Sequence, residues 1–151
     1  MTEQEKIRRE KLEELKKLGI NPYPAELFPV NNFSSKLIED FDENQEVIIA
    51  GRIMSRRIQG NASFAEIQDS KGRIQIYFNR DEICKSEDKT KYNIVYKKLL
   101  DIGDIIGIKG SMFKTKVGEV TVLVKDFTLL NKSLRPLPLP KVDSAGNEYD
   151  S

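Results

Sequence analysis

From Glu46 onward, apolar and polar positions alternate with a period of two, whereas the first third of the chain is sparsely apolar and spaced as on a helix. Residues 3–18 place Ile7, Leu15 and Leu18, with the stem of Lys11, on one narrow face. Glu5/Arg9, Arg9/Glu13 and Glu13/Lys17 stand four apart, the spacing at which opposite charges pair along a helix. Gly19 supplies the stop. So thin a stripe predicts a salt-bridge-laced surface helix that leans on a neighbour; a cationic arm for a polyanion is the other reading. "INPYPAELFPVNNF" follows, with prolines that forbid helix and favour an extended connector. "SSKLIEDF" predicts a short helix with serine at its start.

"EVIIAGRIMSRRI" then reads as a long strand, whose Gly51 predicts a bulge or tight coiling. "ASFAEIQD" is a second strand, and "SKGR" a hairpin turn into "RIQIYFNR", where Ile74, Ile76 and Phe78 share one face and Gln75 and Tyr77 the other. In "DKTKYNIVYKKLLDIGD", Tyr92, Val95, Tyr96, Leu99 and Leu100 recur at helical spacing before Gly103. "DIIGIKGSMFKTK" and "GEVTVLVKDFTLL" are two further strands joined through "TKVG". The order is three strands, a helix, then two strands, after an N-terminal helix. It predicts a mainly β fold, a five-stranded Greek-key barrel of the OB type with its helix between strands 3 and 4. A generic α+β domain is the alternative, and the glycine inside the long first strand favours the barrel. The expected divisions are a helical extension and connector at 1–44, the barrel at 45–133, and a proline-rich linker at 134–151. Pro136, Pro138 and Pro140 make that linker stiff without a PxxP motif, and beyond Pro140 too little apolar content remains to fold.

Composition narrows the chemistry. With 151 residues, 38% of them hydrophobic, one ordinary core can form; the net charge of +1 names no partner. Locally the balance differs: between Gly51 and Asn79, Arg52, Arg56, Arg57, Lys71 and Arg73 face only Glu66 and Asp69. A single cysteine, Cys84, excludes an internal disulfide and fits a reducing compartment. The N-terminal stretch lacks an apolar core of signal-peptide length and no run approaches a membrane span, so a cytoplasmic protein is expected. Without histidine there is no His-based acid–base pair, nucleophile activation or metal ligation. No phosphate-binding glycine loop is present either. Asp40/Asp42 and Asp101/Asp104 stand by helix ends and turns, where carboxylates cap or solvate. No catalytic or metal-binding residue is therefore assigned.

One position breaks the strand pattern. In "GNASFAEIQD", Ala65 and Ile67 share a face, and Phe64 lies on the other with Glu66 and Gln68. OB barrels bind oligonucleotides or sugars across strands 2 and 3, where Phe64, Gln75 and Tyr77 fall. An aromatic plate stacks any base, at roughly 1–3 kcal/mol per base. Gln75 adds a donor and an acceptor for a base edge, and a neighbouring arginine can hold phosphate. Phe64 alone is as compatible with capping the barrel as with binding a base, and the basic cluster alone with a solvated face. Together they make single-stranded nucleic acid the leading ligand. Parity does not choose between Arg56 and Arg57 for the clamp, because a bulge at Gly51 shifts the alternation. Glu119 reads by spacing as an exposed turn acid; within reach of the site it would accept from base N–H groups and repel misplaced phosphate.

"GRIMSRRIQGNASFAEIQDSKGRIQIYFNRDEI" and "GDIIGIKGSMFKTKVGEVTVLVKDFTLLNKSLRPLP", with "LGINPYP" and "LRPLP", closely resemble the N-terminal anticodon-binding domain of bacterial-type lysyl-tRNA synthetases, over roughly Ile7 to Pro140. The resemblance implies that Phe64 stacks on the central uridine of the anticodon and Gln75 reads its edge. It implies Arg57 as the basic partner and Glu119 as an acidic contact from the last hairpin. It also raises Arg8, Arg9 and Lys16 as contacts to the tRNA backbone. The partner implied is lysine tRNA with its U-rich anticodon. The family's catalytic domain would follow the linker, and the regions that bind ATP and lysine are absent from this sequence. ATP and magnesium are thus expected for the full-length enzyme and no cofactor for this piece, which should be inactive alone; the homodimer contacts are expected mostly in the missing part. The rival expectation is a single-strand binding module without sequence preference.

Overall fold

The structure, a computed structural model, describes residues 2–135 and the short segments Lys141–Val142 and Glu148–Tyr149. Period-two alternation becomes five strands: β1 (Glu46–Gln59), β2 (Ala62–Asp69), β3 (Gly72–Asn79), β4 (Ile105–Lys114) and β5 (Val120–Asn131). They close into a barrel in the order β1–β2–β3–β5–β4. The β3–β5 seam is parallel and every other seam of the barrel antiparallel. The expected inward residues, among them Ile67, Ile74, Ile76 and Phe78, are all buried.

Strand β1 is long enough to pair twice, Glu46–Arg52 with β4 and Arg52–Gln59 with β2. The irregularity expected at Gly51 lies further along. Ile53 pairs with Ile67 but Ser55 with Glu66, so Met54 is the extra residue. Gly51 answers a different need: a Cβ there would lie 2.9 Å from the Gln68 carbonyl oxygen, so only glycine lets β1 approach β2 this closely.

Between β3 and β4 stand two helical segments, and only the second is the helix that the apolar spacing predicts. A short helix, α3 (Arg80–Ile83), which follows α1 (Glu3–Lys17) and α2 (Ser34–Glu39) in the chain, is capped by the Asn79 side chain, which accepts from the Asp81 and Glu82 N–H groups. The second segment, Lys91–Leu99, is a π-helix, closed where the Leu100 N–H donates to the Val95 carbonyl. Apolar spacing over nine residues does not separate this pitch from an α-helix. Its buried Tyr92, Val95, Tyr96 and Leu99 join the barrel core, and Tyr96 stacks on Phe78 with centroids 3.9 Å apart.

The N-terminal helix, α1 (Glu3–Lys17), ends at Gly19, whose φ of +80° favours glycine, with Ile20 N–H returning to the Leu15 carbonyl. The expected apolar stripe is only partly buried: Leu15 is enclosed, whereas Leu18 is exposed. Polar groups complete the docking face. Arg8 Nη1 donates to the Ile102 and Ser133 carbonyls, and Lys11 Nζ meets Asp101 Oδ1 at 2.7 Å. Asp101 and Asp104 in turn share Lys132, whose side chain is 1% exposed. Asp104 does cap its turn, accepting from the Asp101 and Ser133 N–H groups, but it is enclosed rather than solvated, whereas the half-buried Asp101 carboxylate is held by Lys11 and Lys132. On the outer surface Glu13 pairs with Lys16 and Glu5 with Arg135, rather than with the residues four positions on.

The connector lays the Phe28 ring against Gly107, where a Cβ would stand 2.3 Å from the ring. In the helix α2 (Ser34–Glu39), Ser34 is the first helical residue and a donor rather than the cap. Its N–H and Oγ both donate to the Asp69 carboxylate at 2.7 Å, so the β2–β3 turn caps α2. The proline-rich spacer at Pro136, Pro138 and Pro140 lies outside the described residues. Lys141–Val142 pairs with Glu148–Tyr149, where the sequence predicts no folded element; a two-residue ladder by itself is marginal.

Candidate nucleic-acid interface

Directly opposed residues of a ladder share a face. Two rows therefore cross the outer surface of β1, β2 and β3. The first is Arg57, Phe64 and Tyr77; the second is Ser55, Glu66 and Gln75. The seam to β5 extends them to Leu123 and Thr121. Arg57, Phe64, Glu66 and Gln75 line a shallow depression of about 230 Å³, together with Ser55 and parts of Arg56 and Ala65. Phe64 and Tyr77 pack with ring centroids 4.8 Å apart and planes tilted by 42°. Thus a half-exposed ring, a side-chain amide and an exposed guanidinium converge on one face. That set can stack a base, pair with its edge and hold a phosphate.

The extra residue Met54 resolves the arginine parity. After it, Ser55, Arg57 and Gln59 turn outward while Arg56 and Ile58 turn inward. Arg56 does not present its guanidinium to the depression. It donates to the Tyr96 and Leu100 carbonyls at 2.6 and 2.9 Å and lies over the Tyr96 ring. It tethers the π-helix to β1.

Glu119 is exposed but does not line the depression. It closes the β4–β5 hairpin, where Thr115 N–H donates to its carbonyl and its own N–H donates to Thr115 Oγ1. Two residues later, Thr121 is the β5 partner of Gln75, so Glu119 stands at the rim beside the site. On α1, Arg9 and Lys16 are exposed, whereas Arg8 is buried, its Nη1 donating to the Ile102 and Ser133 carbonyls and its Nε to Gln4 Oε1. Arg8 is therefore a docking residue of α1 and not an available phosphate contact.

Two features of the face were not singled out from the sequence. Glu66 is held by Arg73 Nη1 at 3.1 Å, so its charge is partly neutralised beside Gln75. Phe113 on β4 packs edge-on to Tyr77, with centroids 6.1 Å apart. Its signal is the one that marks Phe64: alternation buries Met112 and turns the next residue, an aromatic, outward. Among the described residues, no three of Asp, Glu and Cys are grouped so that they could hold a metal ion.

Comparison with known proteins bears on the barrel as a whole. Residues 47–130 match the family model of the OB-fold nucleic acid binding domain. The chain is 68% identical to the lysine–tRNA ligase of Christiangramia forsetii over 150 residues, which cover 99% of this chain and 26% of that relative. It is 54% identical to the lysine–tRNA ligase of Azobacteroides pseudotrichonymphae, covering 100% of this chain and 31% of that protein. Against the lysine–tRNA ligase of Porphyromonas gingivalis the identity is 52%, with coverage of 99% and 27%. The chain spans between a quarter and a third of the length of these relatives.

Proposed function

The chain belongs to the OB-fold nucleic acid binding domain family, and from that membership we propose that its β2–β3 face recognises the anticodon of a lysine tRNA. The observation that carries the proposal is the row of Arg57, Phe64 and Tyr77 beside Gln75 on one outer face. Phe64 stacks on the central uridine. Gln75 offers its amide to the uridine edge, where a carbonyl accepts and an N–H donates. Arg57 holds a neighbouring phosphate, and Glu119 at the rim disfavours a misplaced one. Arg9 and Lys16 add weak contacts to the tRNA backbone.

In a longer protein of the kind its relatives represent, this domain selects the tRNA for the ATP-dependent attachment of lysine. ATP and magnesium belong to that wider enzyme, as do the catalytic domain and a homodimer interface, and the enzyme works in the cytoplasm. The proposed division is 1–44 for the extension and connector, 45–133 for the recognition barrel and 134–151 for the linker. No helix among the described residues is long and apolar enough to cross a membrane.

Fluorescence anisotropy at fixed salt tests the proposal. One labelled anticodon stem-loop of lysine tRNA is compared with another whose central uridine is replaced by cytidine. A base-reading face should penalise cytidine by about 1–3 kcal/mol, as for single mismatches at nucleic-acid sites. Equal binding to both would replace this reading with a single-strand module that lacks base preference.

A further inference from the structure

We infer that Phe113 is a positioning residue for base stacking: through Tyr77, it fixes the plane of the Phe64 ring. The inference rests on the reading of Phe64 as the stacking plate. Phe64, Tyr77 and Phe113 are three half-buried rings from three strands, in contact in that order, on the outer surface of the barrel. The core does not require them there, since the inward positions of the same strands are filled by Ala65, Ile76 and Met112.

Register shows why Phe113 belongs to the same face. Its partner on β5 is Thr121, and the partner of Thr121 on β3 is Gln75. Phe113 therefore continues the row of Ser55, Glu66 and Gln75 around the barrel. Thr121 is fully buried although it stands on this outer row, so the row is covered at that point.

The contacts also have a direction. Phe64 leans on Tyr77 at a tilt of 42°. Tyr77 is held on one side by the edge contact with Phe113, at an interplanar angle of 69°, and at its hydroxyl by a long 3.4 Å contact from Asn79 Nδ2. An aromatic side chain on a strand surface has two torsions to lose when a base stacks on it, and that entropy opposes binding. A ring already braced from the far side has lost them before the RNA arrives.

The chain has no tryptophan, so Phe64→Trp places a unique fluorophore at the plate. Time-resolved anisotropy of the RNA-free protein, with and without Phe113→Leu, reads the local freedom of that ring. The amplitude of fast local motion should grow in Phe113→Leu and return to its starting value in Phe113→Tyr, which restores a ring. In the wild-type background Phe113→Leu should raise the Kd for the uridine-centred stem-loop about 2- to 10-fold, the range set by aromatic pair energies. In a Phe64→Ala background the same change should add nothing, because the plate it positions is gone. Equal losses in both backgrounds would make Phe113 a direct RNA contact and overturn the positioning role. Unchanged ring motion and unchanged Kd would overturn it as well. If Phe64→Ala itself leaves binding intact, the anticodon reading fails and takes this inference with it; a sensitive Phe64 beside a silent Phe113 removes the inference alone.

Discussion

Arg57 and Phe64 are direct partners across the β1–β2 ladder, and they share the outer face because Met54 is an extra residue in β1. Before Met54 the odd-numbered positions of β1 point inward, as Val47, Ile49 and Ile53 do; after it they point outward. A single unpaired residue therefore decides which of two adjacent arginines meets a ligand and which meets the π-helix.

The two arginines should separate cleanly in experiment. Arg57→Ala is expected to weaken RNA binding and to reduce the salt slope by about 0.7, one single-strand phosphate contact. As a surface change it should shift stability by no more than ~0.5 kcal/mol. Arg56→Ala removes two charged hydrogen bonds to the Tyr96 and Leu100 carbonyls. It should cost about 2–3 kcal/mol in urea unfolding, given typical values for bonds to charged groups. Salt-dependent titrations and unfolding curves of both variants check this. A reversal, with Arg56 governing RNA and Arg57 governing stability, would contradict the register.

Stacking and reading should come apart in the same way. Phe64→Ala removes a π-face that any base can use, so affinity should fall by roughly 1–3 kcal/mol on every sequence. Gln75→Ala removes hydrogen bonds that only one base edge satisfies. Its main effect should be on the ratio of uridine to cytidine binding, which should approach one. The measurement is anisotropy on both stem-loops for each variant. Parallel losses on uridine and cytidine in Gln75→Ala would remove the reading role.

The barrel was legible in the sequence because alternation records burial directly: Ile74, Ile76 and Phe78 inside, Gln75 and Tyr77 outside. Phe64 was legible because it violates that alternation. The bulge at Met54 was not, since glycine marks the places where backbones come close, and at Gly51 it marks the approach to Gln68. Helical periodicity captured only part of the docking face of α1, Leu15 and Lys11, for a related reason. It counts apolar side chains, and this helix docks also through Arg8 and Lys11, on carbonyls and a carboxylate ninety or more positions away. Asp69 as the cap of α2 was hidden likewise, because its partner Ser34 lies 35 residues away.

Phe28 and Gly107 should behave as one unit. The ring occupies the space of the missing side chain, and a Cβ at Gly107 would stand 2.3 Å from Phe28 Cζ. Gly107→Ala alone should therefore expel the ring, at about 1–3 kcal/mol for an overpacked site. Phe28→Ala alone loses the ring's packing, about 3–5 kcal/mol for a well-buried phenylalanine. The double variant should be more stable than the sum of the two losses implies, because the methyl group enters vacated space. A double-mutant cycle by urea unfolding reads the coupling, and strict additivity would mean that the connector packs elsewhere in solution.

The cluster that docks α1 should make stability depend on acid in a defined direction. Burial would raise the Asp101 carboxyl, but hydrogen bonds and charge from Lys11 and Lys132 outweigh it and hold the pKa below the ordinary 3.8. At Asp104 burial prevails over Lys132, and the pKa lies above 3.8. A depressed carboxyl contributes stability that is present above its unfolded pKa and is lost as the pH falls through the folded value. Asp104 acts in the opposite sense: the fold binds its proton more tightly than the unfolded chain does, so its contribution declines as the pH rises through and beyond 3.8. Asp101→Asn should thus destabilise the fold at pH 7, by less than the ~3–5 kcal/mol for breaking a fully buried pair, because Asp101 is only partly enclosed and Lys132 keeps Asp104. That difference from wild type should shrink as the pH falls below 3.8, because the wild-type carboxylate is then being protonated as well. Urea midpoints of the two proteins at pH 7 and pH 2.5 test this. A gap of the same size at both values would show that the Asp101 charge does not hold α1 to the barrel, leaving Arg8 and Leu15 to do so.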